Sequence, residues 1–156
     1  MEQQQTVKPK QIRLAAMEML AGREYLRTEL AKKLAKKFDN SSFIDEVIEQ
    51  LISDNLQSDE RYVQAFLRSR IRRGQGEVRI RMELRQRGAN QVLADQAITN
   101  FDVDWFELAR SVALSKFGST YSVDNTEKAK RIRFLQYRGF NYDQINYALS
   151  EQPENG

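Results

Sequence analysis

The chain has 156 residues, of which 40% are hydrophobic and 30% are charged, and its formal net charge is +3. This composition supports a buried core beneath a heavily solvated surface, and it excludes a wholly disordered chain. No apolar run approaches the roughly 20 residues that span a bilayer, and the lack of cysteine and histidine removes thiolate metal sites and the commonest general base, which weighs against an enzyme.

The amino-terminal segment MEQQQTVKPK has no apolar stretch behind its charges. It therefore does not resemble a signal peptide, and we expect a disordered lead-in at residues 1–10 of a cytoplasmic protein. The only two prolines, Pro9 and Pro153, lie near the ends. Everything between them can be helical, and residues 151–156 are predicted to form a tail.

Between the prolines, apolar residues recur at intervals of three and four, which predicts amphipathic helices and no strands. Ser42 with Asp45 resembles a capping box, and Ser58 is expected to cap the helix that begins with an acidic turn. Trp105 and Phe106, at helical spacing with the alanines that follow, are expected in the core. The predicted helices cover residues 12–21, 25–37, 43–54, 59–73, 77–87, 91–101, 104–117, 126–138 and 142–150.

These helices fall into groups of three that repeat along the chain. Superimposing Leu84 on Leu135 aligns LRQRGAN with LQYRGFN, and Leu30 anchors a weaker first copy whose middle turn is eight residues longer. The anchor leucines are 54 and 51 residues apart. We therefore predict an all-α fold, an elongated tandem array of three three-helix repeats at residues 11–57, 58–102 and 103–150, which share a core because each is too short to be stable alone.

The two aligned turns have a local structural explanation. Gly88 and Gly139 follow the last turn of a helix, where glycine accepts the left-handed conformation without a side-chain clash. Asn90 and Asn141 are then placed to cap the next helix.

Arginines are concentrated around these turns. Residues 68–88 carry eight arginines and two glutamates, a net charge of +6, whereas residues 39–60 carry −7. Glu77 could pair with Arg81 and leave the other arginines as a solvated helix face. Their crowding, and the choice of arginine over lysine, instead favours an anionic partner. The candidate partner- or DNA-binding residues are Arg68, Arg70, Arg72, Arg73, Arg79, Arg81, Arg85, Arg87, Lys130, Arg131, Arg133 and Arg138.

Catalytic and cofactor motifs are not found in the sequence. It contains no phosphate-binding loop of the GxxxxGK[ST] type. Gly74-Gln75-Gly76 is a lone GxG, which is interpreted as a flexible link between helices. The acidic stretch at 39–60 lacks compact ligand spacing and indicates a second polar surface. We expect no catalytic residue, no metal and no cofactor.

The segments DERYVQAFLRSRIRR, GQGEVRIRMELRQRGAN and FLQYRGFNYDQINYAL resemble the bacterial RecX family, which modulates the RecA recombinase. The resemblance covers nearly the whole chain and is weakest in the first repeat, where Leu34 replaces the turn glycine. It implies a non-enzymatic protein that binds RecA filaments on single-stranded DNA, suppresses ATPase activity and strand exchange, and takes part in the DNA-damage response. A chain that lies along a filament needs no self-association, so we expect a monomer without membrane contact.

Two other functional classes remain open from the sequence. A helix-turn-helix DNA-binding protein would use Gly88 or Gly139 as its turn, but the helices that follow carry no arginine or lysine. A helical adaptor that binds only protein is the third class, and it predicts little affinity for DNA.

Overall fold

The structure, a computed structural model, describes residues 7–118 and 124–150, and every regular element within these ranges is an α-helix. The helices are α1 (Pro9–Gly22), α2 (Arg27–Lys37), α3 (Ile44–Ser53), α4 (Asp59–Arg72), α5 (Glu77–Gln86), α6 (Gln91–Asn100), α7 (Trp105–Phe117), α8 (Asn125–Arg138) and α9 (Tyr142–Leu149). The all-helical prediction is confirmed, and each of these helix ends lies within three residues of its predicted position.

The predicted lead-in and tail lie largely outside this description. Residues 1–6 and 151–156 are not among the described residues. Within the predicted lead-in, α1 begins already at Pro9. Proline is favoured at the first helical position, where its missing N–H would have no partner in any case. None of the helices in the described ranges is long and apolar enough to cross a membrane.

Side-chain caps begin several helices as the sequence predicted. Ser58 Oγ accepts a hydrogen bond from the N–H of Arg61 at 3.2 Å, ahead of α4. Asn90 Oδ1 accepts from the N–H of Leu93 at 3.1 Å, and so caps α6. Asn141 caps α9 through a reciprocal capping box with Gln144, in which each side-chain oxygen accepts from the other residue's N–H at 2.9 Å.

The predicted capping box of Ser42 with Asp45 is wrong. Helix α3 has Phe43 at its N-cap, with no side-chain cap bond, and the N–H of Phe43 donates to Ser41 Oγ at 3.3 Å. The chain enters α3 from a turn in which Asp39 and Asn40 are both left-handed, with φ of 52° and 56°.

Two compact units divide the chain, one ending at Ala65 and the other beginning at Phe66, within α4. The core of the first unit joins the inner faces of α1, α2 and α3. Its fully buried side chains include Ile12, Leu30, Leu34, Ile48 and Leu51. Leu30, the predicted anchor of the first repeat, thus lies at the centre of this core.

The core of the second unit contains the other two anchors at equivalent places. Leu84 and Leu135 are both completely buried. Ala94 and Ile145, which the same alignment superimposes, are only 3% and 1% exposed. Helix α7 packs against α9 through small side chains, among which Ala109 is fully buried. The alignment that defined the repeat from the sequence therefore matches core positions in the structure.

Phe106 is a correction to the predicted core. It is exposed, and its ring meets that of Tyr147 edge to face at a centroid distance of 5.6 Å, while Trp105 is only partly buried. Both residues occupy the first turn of α7, and the close approach of α7 to α9 is made further along the helix by alanines. The apolar periodicity correctly predicted the helix, but it wrongly included the first turn of the helix in the buried face.

The two glycine turns have the conformation that was predicted. Gly88 and Gly139 have φ of 87° and 100°. Two backbone hydrogen bonds close the helix at each turn. The N–H groups of Ala89 and Gly88 donate to the carbonyls of Leu84 and Arg85, both at 3.0 Å. Those of Phe140 and Gly139 donate to the carbonyls of Leu135 and Gln136 at 3.1 and 2.9 Å. This is the Schellman arrangement, and it requires the left-handed residue that glycine supplies.

The Gly74-Gln75-Gly76 segment is not a flexible link, as the sequence suggested, but a tightly packed joint. The N–H of Gly76 donates to the carbonyl of Arg138 at 2.8 Å, and a Cβ added at Gly76 would overlap the carbonyl of Gly139. Gly74 has φ of 77°, and Gln75 is buried. The two glycines therefore let the end of α4 and the start of α5 approach the turn between α8 and α9.

Candidate interaction surface

All twelve basic residues singled out by the sequence lie in the second unit, on α4, α5, α8 and the adjoining turns. The second unit carries fifteen basic and eleven acidic residues, a net charge of +4, whereas the first carries −1. Six of these twelve side chains contact other side chains or backbone carbonyls. The other six are exposed and make no such contact with the described residues.

Glu83 on α5 joins two of the arginines. Its carboxylate lies 3.3 Å from Nε of Arg70 and accepts a hydrogen bond from Nε of Arg79 at 2.9 Å. The side chains of Arg70 and Glu83 are only 15% and 17% exposed. The hydrogen bond that Arg79 donates to Glu83 raises the pKa of Arg79 above its ordinary value. The two arginines thus share one carboxylate.

Arg131 and Arg138 make structural contacts on α8. Arg131 is buried, pairs with Glu127 at 3.2 Å and lies over the ring of Phe117, with its guanidinium carbon 4.9 Å from the centroid. Arg138 Nη1 donates to the carbonyl of Arg73 at 2.8 Å, which ties the end of α8 to the turn after α4. These two arginines stabilise the unit itself.

The pairing of Glu77 with Arg81 that the sequence allowed is wrong. Arg81 Nε instead donates to Asp95 on α6 at 2.8 Å, in a largely exposed pair. Glu77 accepts hydrogen bonds from the side chains of Gln144 at 2.9 Å and Asn141 at 3.4 Å. The start of α5 lies against the capped end of α9, so Glu77 serves the joint and leaves Arg81 to another partner.

The remaining arginine with contacts is Arg87, whose guanidinium carbon lies 5.1 Å from the ring centroid of Phe66. Six side chains are exposed and have no hydrogen bond or ion pair with any residue in the described ranges. They are Arg68, Arg72, Arg73, Arg85, Lys130 and Arg133.

Several of these exposed cations are neighbours of like charge. Arg68 and Arg72 are four residues apart on α4, and Lys130 and Arg133 are three apart on α8. Like charges at such spacing destabilise a helix by about 0.2–0.5 kcal/mol per pair. An anionic partner would remove this cost, so the surface suits phosphate or carboxylate groups.

Two groups of exposed apolar residues accompany the cations and were missed in the sequence. Val78 and Met82 are exposed four residues apart on α5, beside Arg81 and Arg85. Tyr137 on α8 is 74% exposed. Sequence periodicity places Leu84 and Leu135, both fully buried, on the inner sides of α5 and α8. The exposed apolar residues lie on the opposite sides of these helices, and that position was the signal from which they could have been found.

The acidic stretch lies in the first unit and is partly used within it. Arg13 and Arg27 pair with Asp54 and Glu49, and Asp59 accepts a hydrogen bond from the N–H of Arg27 at 2.8 Å. Asp45 is exposed. No group of acidic residues in the described part of the chain has an arrangement that could hold a metal ion.

Comparison with known proteins gives a consistent family match. The family models described as "RecX, second three-helix domain" and "RecX, third three-helix domain" match residues 58–98 and 102–149. Regulatory protein RecX of Halorhodospira halophila is 40% identical over 92% of this chain and 89% of its own length. That of Vibrio campbellii is 41% identical over 90% of both chains.

A solved structure has the same fold. The crystal structure of RecX from Lactobacillus salivarius superimposes with a TM-score of 0.76 at 24% identity, over 90% of this chain and 94% of that one. The identity is low, so this likeness bears on the fold alone. It agrees with the all-helical fold described above.

Proposed function

The chain belongs to the RecX family of regulatory proteins, and from that premise we propose that it binds RecA filaments on single-stranded DNA. There it inhibits ATPase activity, strand exchange and filament growth. It is a negative modulator of recombination and of the SOS response to DNA damage, and it acts in the cytoplasm as a monomer.

The observation that carries this proposal is the set of six exposed cations on the second unit, which have no counter-charge in the described residues. A filament on single-stranded DNA presents phosphates and acidic side chains, either of which would neutralise them. Arg68 and Arg72 on α4, and Arg85 on α5, are the first contacts we assign to this role. Lys130 and Arg133, the exposed cations of α8, are further contacts that we assign to it.

Inhibition by this route needs no chemical step. A protein that binds one filament conformation more tightly than another shifts the filament towards the favoured state by its difference in affinity. A bound protein can also block subunit addition. The described residues offer no motif for catalysis, and none is needed for either effect.

A protein-only adaptor is the second candidate. Val78 and Met82 favour it, because exposed apolar side chains beside arginines are typical of protein interfaces. In the RecA proposal the same residues would contact the recombinase rather than the DNA.

The test compares the binding of labelled protein to RecA filaments, assembled on single-stranded DNA with a slowly hydrolysed ATP analogue, with binding to the bare strand at the same salt concentration. We expect tighter binding to the filament and inhibition of RecA ATPase at the concentrations that saturate it. Absence of filament binding at low and moderate salt would reject the proposal. Sedimentation equilibrium checks the monomer.

A further inference from the structure

Tyr137 is an aromatic side chain that remains largely exposed in the second unit. It stands near the end of α8 with 74% of its surface accessible, a larger fraction than for the other exposed large hydrophobic residues described. An aromatic ring buries a large apolar area when it packs, so a fully exposed one is unusual. The ring is therefore available to a partner.

Arg79 contacts both the ring and the backbone carbonyl of Tyr137. The guanidinium carbon of Arg79 lies 4.9 Å from the ring centroid, and Arg79 Nη1 donates to the carbonyl of Tyr137 at 3.3 Å. Arg79 is itself held by Glu83, which is mostly buried. One face of the ring rests on a cation that another residue orients, so the opposite face is presented with little freedom to move.

The surroundings of Tyr137 on α8 are positively charged. Lys130 and Arg133 precede it by seven and four residues, a spacing that places all three on the same side of the helix. Both cations are exposed. Glu127, the only acid of α8, precedes Lys130 by three residues, and its carboxylate pairs with the buried Arg131 at 3.2 Å.

We propose that Tyr137 stacks against a base of a single-stranded nucleic acid while Lys130 and Arg133 contact its phosphates. An exposed ring flanked by cations is the arrangement that single-strand binding surfaces use. Bases of a duplex are already stacked on each other, so they cannot cover the ring. A protein partner would need more apolar surface than this side of α8 offers, because Tyr137 is joined there by charged side chains.

This inference rests on the proposed function for the presence of a single strand at this surface, but it is tested without recombinase. The full chain is titrated into a short labelled oligothymidylate, and into a strand of the same length in which every nucleotide is abasic. We expect Tyr137→Ala to weaken binding to the intact strand by about five-fold or more, the lower end of the effect of losing one stacked base. Tyr137→Phe keeps the ring and should bind within about two-fold of the parent.

The abasic strand isolates the stacking contact. On it, Tyr137→Ala and the parent chain should bind equally, because no base is present to be lost. The pair Lys130→Ala with Arg133→Ala should weaken binding to both strands and make the slope of log K against log salt shallower by about 1.4, or roughly 0.7 per phosphate contact.

Tyr142 is the matched control, since it is 69% exposed but begins α9, which carries no lysine or arginine. Tyr142→Ala should bind the intact strand as the parent does. The proposal is overturned if Tyr137→Ala binds the intact strand normally, if it loses as much affinity for the abasic strand, or if Tyr142→Ala is equally defective. A parent chain that inhibits RecA but binds no free strand would overturn the stacking site alone. A stacking defect in a chain that leaves RecA unaffected would reject only the proposed function.

Discussion

At the scale of single residues, the arginines have two different roles that the sequence does not separate. Arg68 and Arg70 are two positions apart on α4, yet Arg68 is exposed whereas Arg70 pairs with Glu83 and lies 4.6 Å from the ring centroid of Phe66. Composition could predict the density of positive charge. It could not predict which side chains are held, because Glu83 reaches Arg70 from another helix, α5.

Arginine substitutions should therefore fall into two groups by stability. We expect Arg70→Ala and Arg131→Ala each to lower the free energy of unfolding by about 1–3 kcal/mol, because each removes a largely buried charge that its partner needs. Arg68→Ala and Arg133→Ala should change it by less than about 0.5 kcal/mol. Denaturant unfolding followed by the fluorescence of Trp105, the single tryptophan and a residue of the second unit, measures both. Equal losses in the two groups would contradict this division.

The glycines make a second residue-scale prediction. Gly139 has φ of 100°, and a Cβ there would overlap the Cβ of Arg79, whereas Gly118 has φ of 74° with no atom of the described residues within 4 Å of such a Cβ. We expect Gly118→Ala to cost about 1–3 kcal/mol, because its φ of 74° with ψ of 180° is open essentially to glycine alone. Gly139→Ala should cost more than this, since the overlap with Arg79 adds to its own strain. Trp105 fluorescence again reports the unfolding. If the two alanine variants are equally stable, the packing at Gly139 is not as close as the structure has it.

At the scale of helices, the sequence predicts the elements well and their connections poorly. Apolar periodicity and caps locate the helices, and Leu30, Leu84 and Leu135, which the alignment superimposes, are all fully buried. The joint formed by Gly74 and Gly76 was missed, because a GxG with no flanking motif is as common in loops as in close packing. Only the three-dimensional approach of α5 to the turn before α9 distinguishes the two.

Substitution of Glu77 tests how much this joint contributes to stability. Its carboxylate accepts from Nε2 of Gln144, which is almost completely buried. Glu77→Ala should therefore cost about 1–3 kcal/mol, because it leaves a buried donor without its acceptor. Asp95→Ala removes the exposed partner of Arg81 and should cost no more than about 1 kcal/mol. The reverse order in urea unfolding would show that Glu77 serves a surface ion pair instead.

At the scale of the whole molecule, charge is distributed unevenly between the units, with −1 on the first and +4 on the second. The sequence already predicted this segregation, and the family with it. It could not predict that half of the twelve candidate cations are held by intramolecular contacts, nor that exposed apolar residues lie beside the rest. Those facts depend on which sides of α4, α5 and α8 face the core.

The six exposed cations imply a charge-dependent interaction that is specific to the second unit. A variant with alanine at Arg68, Arg72, Arg73 and Arg85 removes four of them and leaves the held arginines in place. Its matched control has alanine at Lys10, Lys32, Lys36 and Lys37, four exposed lysines of the first unit, so both variants have the same formal net charge. Both should remain folded, because exposed charges contribute little to stability.

The most direct test is the inhibition of RecA ATPase on single-stranded DNA by the parent chain and these two variants at equal salt. We expect the arginine variant to need a concentration higher by about ten-fold or more for half-inhibition, as the loss of a few charge-assisted contacts implies. The lysine variant should inhibit as the parent does. If the folded arginine variant inhibits as well as the parent, or if both variants are weakened alike, the exposed cations of the second unit are not the surface that binds the filament.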